Sequence, residues 1–441
     1  MNHLQNQSRR AFLKTIGTGA IIAPFVTRDL IARPPMNRLR HASIGASGMA
    51  WHDIAEIAKH PDVDLIAGAD VDLSRTGNVK KNYPHARIYQ DWRRLLQKEK
   101  VDSVNVSTPD HMHAPVAMTA MQMGKHVYVQ KPMAHEVFEI RQLASVAKSR
   151  GLVSQMGIQI HSTNHYKMAV LLIQAGAIGK IKEVHSWVPK SWGDTSPKPD
   201  RQDPVPETLD WNGWLGVAAD RPFIGDKYYH PSNWRNRLDF GTGTLGDMGC
   251  HIFDPVFGAL DLRSPIEIRS EGNPPNEWNW SIDSRIVYKF EGTKRTEGKT
   301  LTLTWYDGRQ GPGQDVKKLL EGDPLPNAGS IFVGTQGTMV LPHVNRPLLY
   351  PDAKFESFLY PEVAGESHYF RFVDACLGRA KTTAGFDYSG PLTEAVLLGT
   401  IATRFPQTGL KWNSKQMSFE QSEANRHLKR TYRSGWEVQG L

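Results

Sequence analysis

The chain has 441 residues, 39% of them hydrophobic and 22% charged, enough apolar material for two globular domains and too much for a disordered protein. No apolar run reaches the roughly 18–20 residues of a membrane span, and two cysteines, Cys250 and Cys376, cannot staple a disulfide scaffold or build a cysteine-rich metal ribbon. Of the net charge of +8, residues 1–40 hold seven basic groups and one acid, so the remainder nets only +2 and no nucleic-acid partner is expected.

That basic surplus has a pattern. Ser8-Arg9-Arg10-Ala11-Phe12-Leu13-Lys14 precedes a mildly apolar, glycine-containing stretch, Thr15–Val26, and resembles the twin-arginine export signal. The resemblance implies handling by the twin-arginine export machinery and a periplasmic location, with any cofactor carried across inside the folded protein. No clean A-x-A triplet follows, so both cleavage and retention as a tether stay open. Residues 1–36 are assigned to signal and linker, 37–157 to a first domain and 158–441 to a second.

After the leader, short apolar runs at Ala42–Ile44, Val63–Ala69, Ser103–Ser107, His126–Val129 and Val153–Met156 read as buried strands. Helical patterns separate them at Met49–His60, Trp92–Gln97, Ala114–Met123 and Val137–Lys148. Alternation of this kind predicts an α/β Rossmann-like parallel sheet, with its ligand at the carboxyl ends of the strands. The first strand runs into Gly45-Ala46-Ser47-Gly48-Met49-Ala50, a G-x-G-x-x-G/A fingerprint with Ser47 at the second glycine. Gly45 suits the tight turn, Gly48 keeps the backbone unhindered, and the helix that starts at Met49 can hold a pyrophosphate on free amides. Asp70 ends the second strand 25 residues past Gly45, near the ~20 expected of the acid that binds ribose hydroxyls and repels a 2′-phosphate. NAD is therefore expected over NADP.

Further on stand Val106-Ser107-Thr108-Pro109-Asp110-His111-Met112-His113 and Gly124-Lys125-His126-Val127-Tyr128-Val129-Gln130-Lys131-Pro132. With the fingerprint, with Gly246-Asp247-Met248-Gly249-Cys250-His251 and with Phe386-Asp387-Tyr388-Ser389-Gly390-Pro391, they make a chain that resembles the Gfo/Idh/MocA oxidoreductases over nearly its whole length after the leader. The resemblance implies that Ser107, Thr108, Pro109 and His113 line the cofactor cleft and that Lys131 reaches nicotinamide and substrate. It also implies catalysis by Asp247 and His251 beside Lys131, with His251 as base and Lys131 next in line, on a sugar, glycoside or polyol hydroxyl. The family's E-K-P triplet reads Gln130-Lys131-Pro132 here, which keeps a hydrogen-bonding amide and loses a charge.

The residues read alone agree. A lysine closing a buried strand can stabilise a developing alkoxide, and Asp247 and His251, four apart, share one helix face from which imidazole can take a hydroxyl proton. Asp254 lies three further along; the set would also suit a metal, but no third nitrogen ligand is in register and none is expected. Between Trp187 and Phe240 fall Trp187, Trp192, Trp211, Trp214 and Trp234, which fit either stacking on sugar rings or packing of an irregular loop. Gln159, His161, Tyr166, Trp234 and Arg235 are candidate substrate contacts, and His230 and Asp239 candidate pocket wall.

Beyond residue 262, Ile266–Ile268, Arg285–Phe290, Thr300–Trp305 and Ser330–Val333 read as strands without intervening helices. An α+β second domain with a largely antiparallel, open-faced sheet follows, covered by helices near His368–Leu377 and Leu392–Thr403. In the relatives such a face pairs subunits, which implies a homodimer or homotetramer. Outside the cytoplasm no nicotinamide pool is expected, so the cofactor should stay tightly bound and be regenerated in place. Either a second carbonyl compound takes the hydride, or the hydride returns to the same sugar after elimination of a glycosidic bond. A pure NAD-binding module would have no use for the proton-transfer set.

Overall fold

The computed structural model describes residues 38–441, and the twin-arginine reading lies outside them. Six strands, β1 (Leu39–Ile44), β2 (Val63–Ala69), β3 (Arg87–Tyr89), β4 (Ser103–Val106), β5 (His126–Gln130) and β6 (Ser154–Gly157), form one sheet in the order 3-2-1-4-5-6. Every pairing in it is parallel. Helices α1 (Met49–Ile57), α2 (Gly77–Asn82), α3 (Trp92–Lys98), α4 (His113–Gln122) and α5 (Val137–Ser149) make the crossovers. The strand order reverses between β1 and β4, which opens a crevice at their carboxyl ends. Sequence patterning missed β3 and α2, because an edge strand of three residues, none fully buried, carries no apolar run.

A second sheet holds nine strands in the order β13-β12-β11-β7-β10-β9-β8-β14-β15. Its members are β7 (Ile181–Val188), β8 (Pro265–Ser270), β9 (Arg285–Glu291), β10 (Thr300–Asp307), β11 (Gly329–Gly334), β12 (Thr338–Pro342), β13 (Leu348–Tyr350), β14 (Gly409–Asn413) and β15 (Ser418–Phe419). All pairs are antiparallel except β7 with β10. The central strand β7 was not legible, since it mixes Lys182, Glu183, His185 and Ser186 into its apolar residues. The fold partners two of them across strands: Ser186 and Ser330 hydroxyls lie 2.8 Å apart, and His185 Nδ1 lies 3.1 Å from Tyr306 OH.

Helices α6 (Asn164–Gln174), α7 (Trp211–Leu215), α8 (Gly243–Leu260) and later α9 (Gln314–Lys317), α10 (Asp352–Phe355), α11 (His368–Cys376) and α12 (Phe386–Ala402) complete the chain. α6, α8 and α12 pack together on one face of the second sheet, burying Phe253, Tyr288, Phe290 and Trp305 between them. The other face is covered at one end by Val316, Leu320 and Leu325, while Ile266, Val287 and Thr302 stay half-exposed. Trp211 and Trp214 stack 4.9 Å apart and pack with Phe223, Tyr229, Trp234 and Phe240 into a separate small core, so loop packing accounts for much of the tryptophan-rich stretch.

The two sheets are locked at the start of α8. Asp110, just past β4, accepts from Thr242 N at 3.0 Å and from the Thr242 hydroxyl at 2.6 Å, and His111 N donates to Phe240 O. Farther along α8, a Cβ on Gly249 would meet Leu245 Cδ1 at 2.8 Å and Val396 Cγ2 at 3.1 Å, so α8 and α12 approach closely only because residue 249 lacks a side chain. Gly249→Val should therefore overpack this contact by about 1–3 kcal/mol. A thermal melt should show a lowered Tm; an unchanged one would mean the two helices part freely.

Candidate active site

A cleft of about 660 Å³ opens over the crevice and is lined from both sheets. It brings together Gly45, Ser47, Gly48, Met49, Asp70, Ser107, Thr108, Pro109, His113, Gln130, Lys131, Gln159, Trp234, Arg235, Asp247 and His251. His230 lines it as well, and Asp239 does not.

At one end the backbone is bare. Gly45 sits at φ +103°, where a Cβ would lie 2.5 Å from the Ser107 carbonyl oxygen, so the first turn comes as close to β4 as glycine allows. Gly48 sits at φ +61° with open space where its Cβ would be, and it starts α1 without a side-chain cap. The uncommitted amides of that helix start suit a phosphate group. Asp70 accepts from Ala46 N and Asp72 N, both at 3.0 Å, and burial raises its pKa against those hydrogen bonds. A bare helix start beside an acid at the end of β2 fits a dinucleotide. His113 braces the neighbouring loops, its Nδ1 2.7 Å from Pro132 O and its Nε2 2.9 Å from Thr108 O.

At the other end three donors and a further cation converge on Asp247. Lys131 Nζ donates to Oδ1 at 2.6 Å and to the Asp247 carbonyl at 2.9 Å. Trp192 Nε1 and Lys190 Nζ reach Oδ2 at 2.9 and 3.1 Å, and Arg235 Nε lies 3.4 Å from Oδ1. Burial alone would push this carboxyl up, but Lys131, Arg235 and Lys190 together hold it well below the usual carboxylate range. One turn on, His251 and Gly258 are the residues of α8 that are not buried. Desolvation first, then the charges of Lys131 and His343, push the His251 pKa well below its ordinary value, so the imidazole is neutral. Its Nδ1 is buried without a protein partner, and its ring faces His343 at 5.7 Å.

Two candidate substrate contacts lie elsewhere, and the reading of them is corrected. His161 Nδ1 is 3.0 Å from Asp254 Oδ1, Tyr388 OH donates to the same oxygen at 2.6 Å, and the Tyr166 and Tyr388 hydroxyls are 3.1 Å apart. Asp254 stands two turns beyond Asp247, past the cleft, so His161 and Tyr166 brace the buried half of α8. Asp254 itself is fully buried in that network.

Sequence reading also missed residues. Lys190 follows β7, Asn327 and Ala328 precede β11, and His343 follows β12; the register Trp187–Gly329–Pro342 puts these at one end of the second sheet, in the cleft. Recognising β7 would have exposed Lys190. Asp53, in α1, was missed too. Gln130 Nε2 lies 2.9 Å from both its oxygens, Ser107 Oγ donates at 2.7 Å and Tyr369 OH at 3.0 Å. The carboxylate lacking at Gln130 is thus supplied from α1, and burial raises its pKa to about 6.

Models of the Gfo/Idh/MocA oxidoreductases match this chain twice, the NAD-binding Rossmann fold over residues 39–158 and the C-terminal alpha/beta domain over residues 183–311. Levoglucosan dehydrogenase of Pseudarthrobacter phenanthrenivorans is 24% identical over 190 residues, which are 43% of this chain and 40% of that protein. A glycosyl hydrolase family 109 protein of a Shewanella species is 26% identical over 208 residues, 40% of this chain and 45% of its own length. The chain thus spans less than half the length of these curated relatives. Among solved structures, the WlbA dehydrogenase of Bordetella pertussis, in complex with NADH and UDP-GlcNAcA, has a TM-score of 0.61 at 13% identity, over 86% of this chain and 99% of that one. GenD2 from gentamicin A biosynthesis, in complex with NAD, has a TM-score of 0.58 at 19% identity, over 88% and 100%. At such identities the likeness establishes the fold.

The buried Asp53 has a measurable consequence. Its pKa is about 6 in the folded protein against an ordinary 3.8, so between those values the native state binds more protons than the unfolded chain. Wild type should lose stability relative to Asp53→Asn as pH rises from about 4 through 6. Parallel denaturant melts across that range test this, and a difference independent of pH would mean the carboxyl titrates normally.

Proposed function

The chain belongs to the Gfo/Idh/MocA family of NAD-binding oxidoreductases, and from that premise we propose that it oxidises a hydroxyl of a sugar, glycoside or polyol with a tightly held NAD. The observation that carries this reading is the meeting of Lys131, Asp247 and His251 at one end of a cleft whose other end fits a dinucleotide. The start of α1 at Gly48 would hold the pyrophosphate and Asp70 the ribose hydroxyls, with Ser47, Met49, Ser107, Thr108, Pro109 and Gln130 around them. When bound, NAD supplies a hydride acceptor at its nicotinamide.

The side chains divide the remaining work. An ammonium has three donors, and Lys131 spends two of them on Asp247, which leaves it one for the substrate oxygen. That contact strengthens as negative charge develops there. His251, neutral and open to the cleft, takes the hydroxyl proton. Asp247 is not the base: it is ionised and already surrounded by donors, and it aims Lys131. Trp234 lines the cleft beneath Arg235, whose guanidinium lies over its ring.

Retention of the cofactor follows from the export reading of Ser8–Lys14, which puts the protein in the periplasm, where no exchangeable nicotinamide pool is expected. Pairing through the half-exposed face of the second sheet would make a homodimer or homotetramer. A second reading is favoured by the family 109 glycosyl hydrolases among the relatives: transient oxidation, elimination of the glycosidic substituent, addition of water and return of the hydride.

Protein purified with its cofactor, given sugars and glycosides one at a time, should accumulate bound NADH and a product two hydrogens lighter. Released aglycone with no lasting NADH would move the assignment to the redox-neutral hydrolase. Lys131→Met and His251→Ala should each lower turnover by at least about a hundredfold while keeping the bound NAD; unchanged turnover would remove them from the chemistry. Because His251 is held neutral, the acidic limb of kcat/KM should fall below the ordinary histidine pKa of about 6.5. A limb above that value would exclude His251 as base.

A further inference from the structure

The acids that line the cleft are Asp70, Asp110 and Asp247. Asp70 stands at the dinucleotide end, and the Asp110 carboxylate is occupied by Thr242. At the reacting end Asp247 alone faces three cations, Lys131, Lys190 and Arg235, a surplus of two positive charges. Asp247 cannot absorb that surplus, because its two oxygens already receive Lys131, Lys190, Trp192 and Arg235.

The two outer cations keep donors to spare. Arg235 forms an ion pair with Asp247, its Nε 3.4 Å from Oδ1, and among the described residues neither of its terminal nitrogens has a hydrogen-bond partner. Its guanidinium lies 4.2 Å over the Trp234 ring and 5.4 Å from that of Trp192, which fixes its plane in the cleft wall. Lys190 makes one contact, with Asp247 Oδ2, and its side chain is 49% exposed. A neutral sugar is held by amides, hydroxyls and carboxylates that match its own donors and acceptors. It would leave three half-desolvated cations sharing one carboxylate, which is costly. An anion of the right reach pairs them, and a planar guanidinium is well shaped for two oxygens of a carboxylate or phosphate.

We propose that the substrate is an acidic sugar, one that carries a carboxylate or phosphate group, and that Arg235 and Lys190 receive this group while the reacting hydroxyl lies against Lys131 and His251. This rests on the reading above that a sugar hydroxyl is oxidised in this cleft. The tryptophan under Arg235 then serves as a platform that holds the cation toward the anion.

The test uses full-length, NAD-loaded protein and matched trios: glucose, glucuronate and glucose 6-phosphate, and the galactose equivalents. Calorimetric binding is measured, and kcat/KM is measured with a second carbonyl compound present to take the hydride from the bound NADH. An acidic member should bind and turn over at least about tenfold better than its neutral parent. Glucuronate and glucose 6-phosphate separate the two anions. Arg235→Gln and Lys190→Gln should each lower the acid-to-neutral ratio by about 10- to 100-fold, mainly through KM, with the bound NAD content unchanged. Added salt should erode the same ratio. Neutral sugars that bind as well as their acids, or variants that affect both alike, would overturn the proposal. Selective binding of an acidic sugar without any change in the bound nicotinamide would keep it and sink the oxidoreductase reading instead.

Discussion

Lys131 and Asp247 meet at 2.6 Å from different elements of the chain, one at the end of a parallel strand, the other in the first turns of α8. Burying a carboxylate at 7% exposure is unfavourable unless it is paired and hydrogen-bonded, and burying a lysine at 13% is little better. Each therefore depends on the other, and the contact constrains how α8 can lie over the crevice. The Asp110–Thr242 bonds repeat the constraint at the helix start. With α8 held there, His251 must open into the cleft, and the buried remainder of the helix can be glycine-rich and closely packed.

That arrangement gives the cleft two electrostatic characters. The end under β1 and β2 is bare backbone with a carboxylate, complementary to phosphates and ribose hydroxyls. The far end is cationic, and its charges act on their surroundings: they keep Asp247 ionised, and they add to burial in keeping His251 neutral, the protonation states that proton abstraction from a hydroxyl requires. Asp53 belongs to the same logic one layer back. It restores, through Gln130, a carboxylate beneath the strand end that carries Lys131, in a setting where burial raises its pKa.

Much of the first sheet was legible because buried parallel strands are short apolar runs, and helices between them carry a 3.6-residue period. Edge strand β3 and central strand β7 were not, for opposite reasons. β3 is too exposed to need apolar residues, and β7 buries polar ones whose partners, Ser330 and Tyr306, lie far along the chain. The same distinction runs through the site. Gly45, Gly48, Asp70, Lys131, Asp247 and His251 sit in local patterns that mark them as candidates, and the fold brings all six to one cleft. Lys190 and His343 sit in none, and His161 and Tyr166 were placed in the cleft only for want of knowing that Asp254 and Tyr388 engage them.

By itself the sequence determined most of the parallel sheet, the phosphate-suited turn after β1, and the helical spacing of Asp247 and His251, because these depend on contacts among near neighbours in the chain. Tertiary structure alone decided which side chains share the cleft and how charge is distributed in it. Those outcomes hinge on the register that brings Trp187, Gly329 and Pro342 level at one sheet end, and on the long-range pairing of Lys131, Lys190 and Arg235 around one carboxylate. Coulomb energies and desolvation depend on distances in space, which the order of residues along the chain does not specify.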